Sequence, residues 1–208
     1  MPFSYSCFIS YRNDNAQIAK DFQESLEDEL SLLLNQPVYR DEERLHGGDF
    51  YNVKIARALC RSACMVMLYI PKYFDEGHIY CAREFRAMEL LEQERLVHLK
   101  ANGLPDDCGL IIPVVYRGCD VLPQYIKGSR NFYDFEAFFL GGRTQKRNHK
   151  YLLSMKEIAN YIFQRCRDLN SLPLDPCDCC DSFDIPNESD LNGWLDNLLP
   201  SQQKFPGR

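Results

Sequence analysis

The segment Cys64–Ile70 is apolar throughout, and it constrains the fold more than any other stretch of this chain. A strand of this composition has no polar face, so both of its faces must be covered. Central strands of parallel sheets are covered in this way, by helices on either side. Pro71 follows directly and ends the strand. The segment therefore predicts a central strand of a parallel sheet.

Further strand and helix patterns alternate on both sides of this segment. Short strands are predicted at 5–11, 37–40, 109–115 and 131–135, and helices at 16–34, 49–61, 78–99 and 151–168. This alternation predicts an α/β fold, a flavodoxin-like doubly wound parallel sheet of about five strands with helices on both faces. Residues 1–170 are predicted to form this domain. Residues 171–208 are rich in Pro, Asp, Asn and Ser, which predicts a C-terminal extension that packs on the domain or on a partner.

Composition excludes several classes of protein. A net charge of −6 without a basic stripe argues against nucleic acid as a partner. No apolar run reaches the roughly 18 residues of a membrane span, and no leader precedes the first strand, so we expect a cytoplasmic protein without a membrane anchor. In that compartment the ten cysteines are expected to be reduced thiols. The cluster Cys177, Cys179 and Cys180 lacks a second pair and a nearby histidine, and we predict no metal site.

Glu84 lies on the apolar side of its predicted helix. At about 100° per residue, five side chains project within roughly 60° of it: Tyr80, Cys81, Ala87, Met88 and Leu91. Arg83, Arg86 and Glu89 point away from that stripe. A carboxylate among core-facing side chains is costly unless it is paired or has a chemical task. On this pattern alone, pairing with Arg40 or Arg83 and a chemical role are equally good explanations.

Ligands of doubly wound sheets bind beyond the carboxyl ends of the strands. In this chain those ends carry residues 10–13, 40–48, 71–80 and 116–118. They include Gly47-Gly48, which either brings backbone N–H groups close to a ligand or forms a plain turn before a helix. No G-x-G-x-x-G follows the first strand and no P-loop occurs, which disfavours Rossmann dehydrogenases and P-loop NTPases. A receiver domain is excluded because the first strand is not followed by an acidic pair.

Three blocks at these strand ends resemble the Toll/interleukin-1 receptor (TIR) domain family, particularly its bacterial members. Phe8-Ile9-Ser10-Tyr11 is similar to the family's opening strand, and Tyr39-Arg40-Asp41 through Gly47-Gly48-Asp49 to its second strand and BB loop. Tyr80-Cys81-Ala82-Arg83-Glu84 is similar to the W-C-x-x-E segment, with tyrosine in place of tryptophan. The resemblance covers about residues 3–170. The BB loop lacks the proline of the animal adaptor branch, which favours an enzyme over a scaffold.

The resemblance implies a reaction and a set of site residues. Catalytic members of the family cleave the bond between nicotinamide and ribose in NAD, so NAD is expected as a substrate and no bound cofactor is expected. Glu84 is implied as the catalytic carboxylate, with its pKa raised by apolar neighbours. Arg12 is expected to meet phosphate, although it could be a solvated loop charge, and Tyr11 could be ordinary core packing. The full lining expected is Phe8, Ser10, Tyr11, Arg12, Asp41, Gly47, Gly48, Tyr80 and Cys81.

The resemblance also implies a biological setting. A stand-alone domain of this kind is similar to Thoeris-type antiphage proteins, which produce a cyclic or conjugated ADP-ribose signal for a separate effector protein. Depletion of NAD is the variant that needs no effector. Self-association through TIR–TIR contacts is expected in either case. The alternative from a different class is a non-catalytic interaction module that recruits partners without turnover.

Overall fold

The computed structural model describes residues 3–41, 51–75, 79–139, 148–173, 178 and 180–198. Its strands are β1 (Tyr5–Ser10), β2 (Val38–Arg40), β3 (Ser62–Tyr69), β4 (Ile111–Val115) and β5 (Tyr133–Asp134). All neighbouring pairs are parallel, and the order across the sheet is β2-β1-β3-β4-β5. This is the strand order of flavodoxin-like sheets. The predicted doubly wound parallel sheet is therefore confirmed.

Helices cover both faces of the sheet. They are α1 (Ala16–Leu30), α2 (Tyr51–Cys60), α3 (Tyr80–Ala101), α4 (Gln124–Lys127), α5 (Glu136–Phe139), α6 (His149–Asn170) and α7 (Glu188–Leu198). The pair α1 and α6 packs on one face, and the pair α2 and α3 on the other. The central strand β3 is buried along its whole length, as its apolar sequence predicts. Helix α1 ends earlier than predicted, because Leu32 and Leu33 beyond it are exposed and make no buried stripe.

The edge of β4 beyond the short β5 is closed by side chains. Val115 O accepts a hydrogen bond from Phe135 N, so the alternate residues Ile111 and Pro113 face the same edge. Ile111 N donates to Glu92 Oε1 at 3.1 Å, and Pro113 has no N–H. Both donor positions ahead of Val115 on this edge are thus accounted for, although β5 pairs with only two residues of β4.

The described part of the C-terminal region packs against α2 and α3. A disulfide joins Cys180 to Cys60 at the end of α2, with the Cα atoms 5.3 Å apart. The expectation that all ten cysteines are reduced thiols is therefore wrong for this pair. The two cysteines are 120 residues apart in sequence, and no local sequence pattern predicts that they meet. The domain boundary at residue 170 stays a prediction. Among the described helices, none combines the length and the apolar character that a bilayer crossing requires.

Candidate functional site

The sheet has its topological switch point between β1 and β3. The chain passes from β1 through α1 to β2 on one side, and returns through α2 to β3 on the other. Ligands of such sheets bind in the crevice at the carboxyl ends of these two strands. Ser10 ends β1, Tyr73 lies in the turn after β3, and the second turn of α3 brings Glu84 to the same place.

Ser10, Tyr73 and Glu84 form a continuous hydrogen-bonded chain. Ser10 Oγ donates to Glu84 Oε2 at 2.5 Å, and the Tyr73 hydroxyl lies 2.5 Å from Ser10 Oγ. A serine hydroxyl has one proton, so when Ser10 donates to the carboxylate, Tyr73 donates to Ser10. All three side chains are buried, and Glu84 is 3% exposed. The Ser10 hydroxyl therefore holds Glu84 Oε2, and the Tyr73 hydroxyl orients Ser10.

Tyr73 was not among the site residues expected from the sequence. It falls in the 71–80 segment at the carboxyl end of the third strand, but no motif distinguishes it there from Phe74. The two rings contact each other edge to face, with centroids 4.8 Å apart. Its proximity to Ser10 is set by the pairing of β1 with β3, which sequence alone leaves open.

The apolar stripe around Glu84 is buried, except for its first residue. Cys81, Ala87, Met88 and Leu91 are all at most 2% exposed, whereas Tyr80 is 45% exposed. Arg83 and Glu89, on the other side of α3, are also buried because α7 and the segment before it pack there. The helix is therefore enclosed on two sides, and Tyr80 marks the point where its first turn meets solvent.

Phe8 and Tyr39 form a stacked aromatic pair on the neighbouring strands β1 and β2. Phe8 is buried, and its ring stacks on Tyr39 with centroids 5.2 Å apart and planes 18° apart. Burial raises the pKa of the Tyr39 phenol, and electrostatic interaction with Asp41, Tyr5 and Glu84 raises it further. Tyr39 therefore stays a neutral hydroxyl near the carboxylate. The sequence placed Tyr39 on the second strand but did not identify it as a site residue.

Tyr11 joins three segments at the end of β1. Its hydroxyl donates to Asp41 O at 2.7 Å, at the start of the loop that follows β2. Its carbonyl accepts a hydrogen bond from Cys81 Sγ at 3.4 Å, in the first turn of α3. Tyr11 is 5% exposed, so the core-packing alternative describes its ring well. The expected lining residues Gly47-Gly48 lie outside the described residues.

Arg12 is buried, with 6% exposure, so the alternative of a solvated loop charge is wrong. Its Nη1 donates to Lys72 O at 2.8 Å, and its Nη2 to Asp14 Oδ2 at 2.9 Å. Asp75 Oδ2 lies 3.7 Å from Nη1. Arg12 thus links the segments that follow β1 and β3, on opposite sides of the crevice. Its contact with a phosphate stays a prediction.

The two arginines considered as partners of Glu84 contact other groups. Arg83 Nε donates to Pro186 O at 2.7 Å, and its Nη1 to Asn52 Oδ1 at 3.3 Å. Arg40 Nε donates to Gln23 Oε1 at 2.6 Å. These contacts connect Arg83 to α2 and to the segment before α7, and Arg40 to α1.

A group of possible metal ligands lies at the far side of the sheet. Atoms of Cys119, Asp134 and Glu136 lie within 4.8 Å of one another. Glu136 Oε1 accepts hydrogen bonds from the backbone N–H groups of Gly118 and Cys119, and Asp134 Oδ1 accepts one from Glu136 N. Burial raises the pKa of the Cys119 thiol to about 12, with Asp134 and Glu136 adding to the effect. Both carboxylates therefore accept hydrogen bonds from backbone N–H groups of the loop that follows β4 and of α5.

Part of the C-terminal cysteine cluster, for which no metal site was predicted, lies among the described residues. Cys180 is in a disulfide, and Cys166 Sγ donates to Ser6 O at 3.8 Å. Cys177 and Cys179 lie outside the described residues.

A buried carboxylate held by neutral hydroxyls, at the ligand-binding end of a doubly wound sheet, is suited to stabilising positive charge on a ligand. It is equally suited to accepting hydrogen bonds from ligand hydroxyls. Comparison with protein-family models agrees with this architecture: the model described as TIR domain matches residues 7–147, more than half of the 208 residues. No match was found among curated proteins. The chain therefore belongs to the TIR domain family.

Proposed function

We propose that this TIR domain cleaves NAD at the bond between nicotinamide and ribose, with Glu84 as the catalytic carboxylate. The family includes NAD-cleaving enzymes. The observation that carries the proposal is the position of Glu84, 3% exposed at the switch point of the sheet with Oε2 held by the Ser10 hydroxyl. Burying a charged carboxylate costs free energy. Here that cost is incurred at the place where ligands bind in doubly wound sheets.

The chemistry requires one carboxylate rather than a pair. Nicotinamide is attached to ribose as a pyridinium, so it departs as a neutral molecule and needs no proton from the enzyme. Positive charge then develops on the ribose, as in glycoside hydrolysis. An ionised Glu84 would stabilise that charge. Water attacking the anomeric carbon would give ADP-ribose and a proton, whereas an adenine nitrogen or another nucleophile would give a cyclic or conjugated product.

The surrounding residues have distinct parts in this proposal. Ser10 and Tyr73 orient the carboxylate, and Tyr80 offers an exposed ring on which a flat ligand can stack. Arg12 would meet phosphate if one of its present contacts were exchanged for the ligand. The remaining expected lining consists of Phe8, Tyr11, Asp41, Gly47, Gly48 and Cys81.

We further propose that the protein acts in the cytoplasm in bacterial antiviral defence. In this proposal a cyclic or conjugated ADP-ribose serves as the signal for a separate effector protein. This role rests on the resemblance to bacterial TIR proteins described above. We also propose that the protein self-associates, since TIR domains commonly do so and self-association would bring neighbouring sites together.

The test is incubation of the purified protein with NAD and chromatography of the products. Wild-type protein should release nicotinamide, and Glu84→Gln should reduce the rate by about a hundredfold or more, as the loss of preorganised charge stabilisation does. Glu94→Gln is the matched control, because Glu94 is an exposed carboxylate on the same helix. It should retain the wild-type rate.

Two outcomes would contradict the proposal. Equal rates for wild type and Glu84→Gln would remove Glu84 from the reaction while leaving an enzyme. Absence of nicotinamide with both proteins, at high protein concentration and with extract of infected cells added, would favour the interaction module. The chromatogram also separates linear ADP-ribose from cyclic or conjugated products.

A further inference from the structure

The segment 180–198, which we call the C-terminal strap, is fixed at its beginning to α2. Its first residue, Cys180, forms the disulfide with Cys60, and both side chains are at most 2% exposed. The carboxylate of Asp181 lies 3.4 Å from Arg57 Nε and 3.4 Å from Arg61 Nη2. These ion pairs are exposed and contribute little. The disulfide is therefore the firm attachment at this end.

The middle of the strap contacts the first turn of α3. Pro186 O accepts the hydrogen bond from Arg83 Nε at 2.7 Å, and Arg83 reaches across to Asn52 Oδ1 of α2. Arg83 directly precedes Glu84 in the chain. A buried guanidinium bound to two other segments limits how far this turn can shift.

The end of the strap packs on the next turn of α3 through Trp194. Its Nε1 donates to the buried Glu89 Oε2 at 3.2 Å. Its ring centroid lies 5.9 Å from that of Phe85 and 6.4 Å from that of Phe74. Phe85 follows Glu84, and Phe74 follows Tyr73. The strap therefore contacts the immediate neighbours of two members of the Tyr73–Ser10–Glu84 chain.

We infer that the C-terminal strap is a positioning element for Glu84, and that thiol–disulfide exchange at Cys60–Cys180 controls how firmly it holds α3. The inference rests on the proposed function, since it assigns a control to the same site. Displacements of about 1 Å at a reacting group are enough to change rates by a hundredfold. A strap fixed to α2 at one end and to α3 at the other is placed to set the position of this helix to that tolerance.

The exchange is a two-electron step with a dithiol as the reductant. One thiolate of the dithiol attacks a sulfur of the Cys60–Cys180 bond and forms a mixed disulfide. The second thiol then displaces the protein sulfur, which leaves two cysteine thiols on the protein and a cyclic disulfide as the oxidised dithiol. Because both sulfurs are buried, the strap must open locally before the attack.

The experiment compares oxidised wild-type protein, the same protein reduced with dithiothreitol, and Cys60→Ala. Cys60 is replaced rather than Cys180 because Cys177 and Cys179 adjoin Cys180 in sequence and could take over the pairing. Backbone hydrogen exchange of residues 80–86 and the kinetics of NAD cleavage are measured on each. Cys108→Ser is the matched control, since this thiol lies near the amino end of β4.

Reduction and Cys60→Ala should each speed backbone hydrogen exchange in residues 80–86 by about tenfold or more. Each should also lower kcat for NAD cleavage by about tenfold, with a smaller change in KM. Cys60→Ala should no longer respond to dithiothreitol, whereas Cys108→Ser should respond as wild type does. Trp194→Ala should reproduce the faster exchange without touching the disulfide, and Trp194→Phe should restore part of the protection because it keeps the ring contact with Phe85.

The inference that the strap positions α3 would be overturned, whatever the activity, if backbone hydrogen exchange in residues 80–86 were unchanged on reduction, in Cys60→Ala and in Trp194→Ala. Faster exchange with unchanged kcat would overturn its control of Glu84. If the oxidised wild type cleaves no NAD, the proposed function fails, and exchange alone then decides whether the strap holds α3.

Discussion

Two glutamates eight residues apart on α3 are buried to the same degree but by different means. Glu84 is 3% exposed and Glu92 is 4% exposed. Glu92 Oε1 accepts hydrogen bonds from Leu110 N, Ile111 N and Arg130 Nη1, and Arg130 Nη2 binds its Oε2. Glu84 Oε2 accepts a hydrogen bond from the Ser10 hydroxyl. Glu92 fixes the start of β4 with an ion pair, whereas Glu84 lies at the strand ends where ligands bind.

Glu89 lies between them and resembles Glu92. It accepts hydrogen bonds from Arg86 Nη1 at 2.5 Å, the Tyr125 hydroxyl at 2.5 Å and Trp194 Nε1 at 3.2 Å. The same helix thus carries two buried carboxylates that are paired with arginine, and a third that accepts a hydrogen bond from the Ser10 hydroxyl. Burial of a carboxylate is therefore a weak sign of catalysis by itself, and location at the switch point is what distinguishes Glu84.

The largest effect expected from this comparison is on stability. Glu92→Gln should lower the free energy of unfolding by about 3–5 kcal/mol, because Arg130 would be left without its counter-charge in a largely buried place. Glu84→Gln should leave that free energy close to wild type or raise it. Urea unfolding of both variants measures the difference. A loss of similar size in both would make Glu84 a structural residue.

Glu89→Gln should have an intermediate effect, about 1–3 kcal/mol, because the amide can still accept from Tyr125 or Trp194 but no longer balances Arg86. Glu94→Gln, the exposed control on the same helix, should stay within about 0.5 kcal/mol of wild type. The two urea midpoints are compared directly. Coincident midpoints would mean that the Arg86 pair adds nothing to stability.

Cys166, a buried thiol on α6 at the opposite face of the sheet from α3, should make the free energy of unfolding depend on pH. Burial raises the pKa of Cys166 from 9.0 to about 12, partly offset by Arg95. Above pH 9 the unfolded chain releases this proton while the folded protein keeps it. The free energy of unfolding should therefore fall between pH 9 and 12, by up to about 1.4 kcal/mol per pH unit from this group. The fall should be shallower in Cys166→Ala, and identical slopes would contradict the assignment.

A small loss of stability is expected for Tyr73→Phe. Loss of the hydrogen bond to Ser10 should cost about 1 kcal/mol. Because Ser10 then loses its orienting partner, nicotinamide release should also fall by about tenfold. Tyr161→Phe removes a comparable bond to Gly109 O, far from the site, and should affect stability alone. Equal activity of the two variants would exclude Tyr73 from the site.

The sequence predicts the fold well where patterns are long. The apolar run of β3 and the helical spacing of α1 and α6 determine the layers, and each lies close to its predicted place. Helices α4 and α5 were not predicted, because an element of four residues is too short to show a period.

The candidate site is predicted in part. The blocks around Ser10 and Glu84 lie far apart in sequence, and their meeting follows from the strand order. Tyr73 and Tyr39 were missed because their positions depend on strand register and side-chain packing rather than on a motif. The second buried face of α3 was missed for a similar reason: a single apolar stripe cannot show that Arg83 and Glu89 are covered by another segment.

The closed edge of β4 has a consequence for how copies of this protein can meet. A neighbouring chain that extended the sheet on this side could pair with the two residues of β5. On the edge of β4 that β5 leaves uncovered, Pro113 has no N–H and the Ile111 N–H is already bound to Glu92. Strand addition of the kind that seeds fibrils needs a longer row of unsatisfied backbone groups. Among the described residues, the β5 side therefore offers a poor template for cross-chain pairing, and ordered assembly on that side has to use helix and loop surfaces.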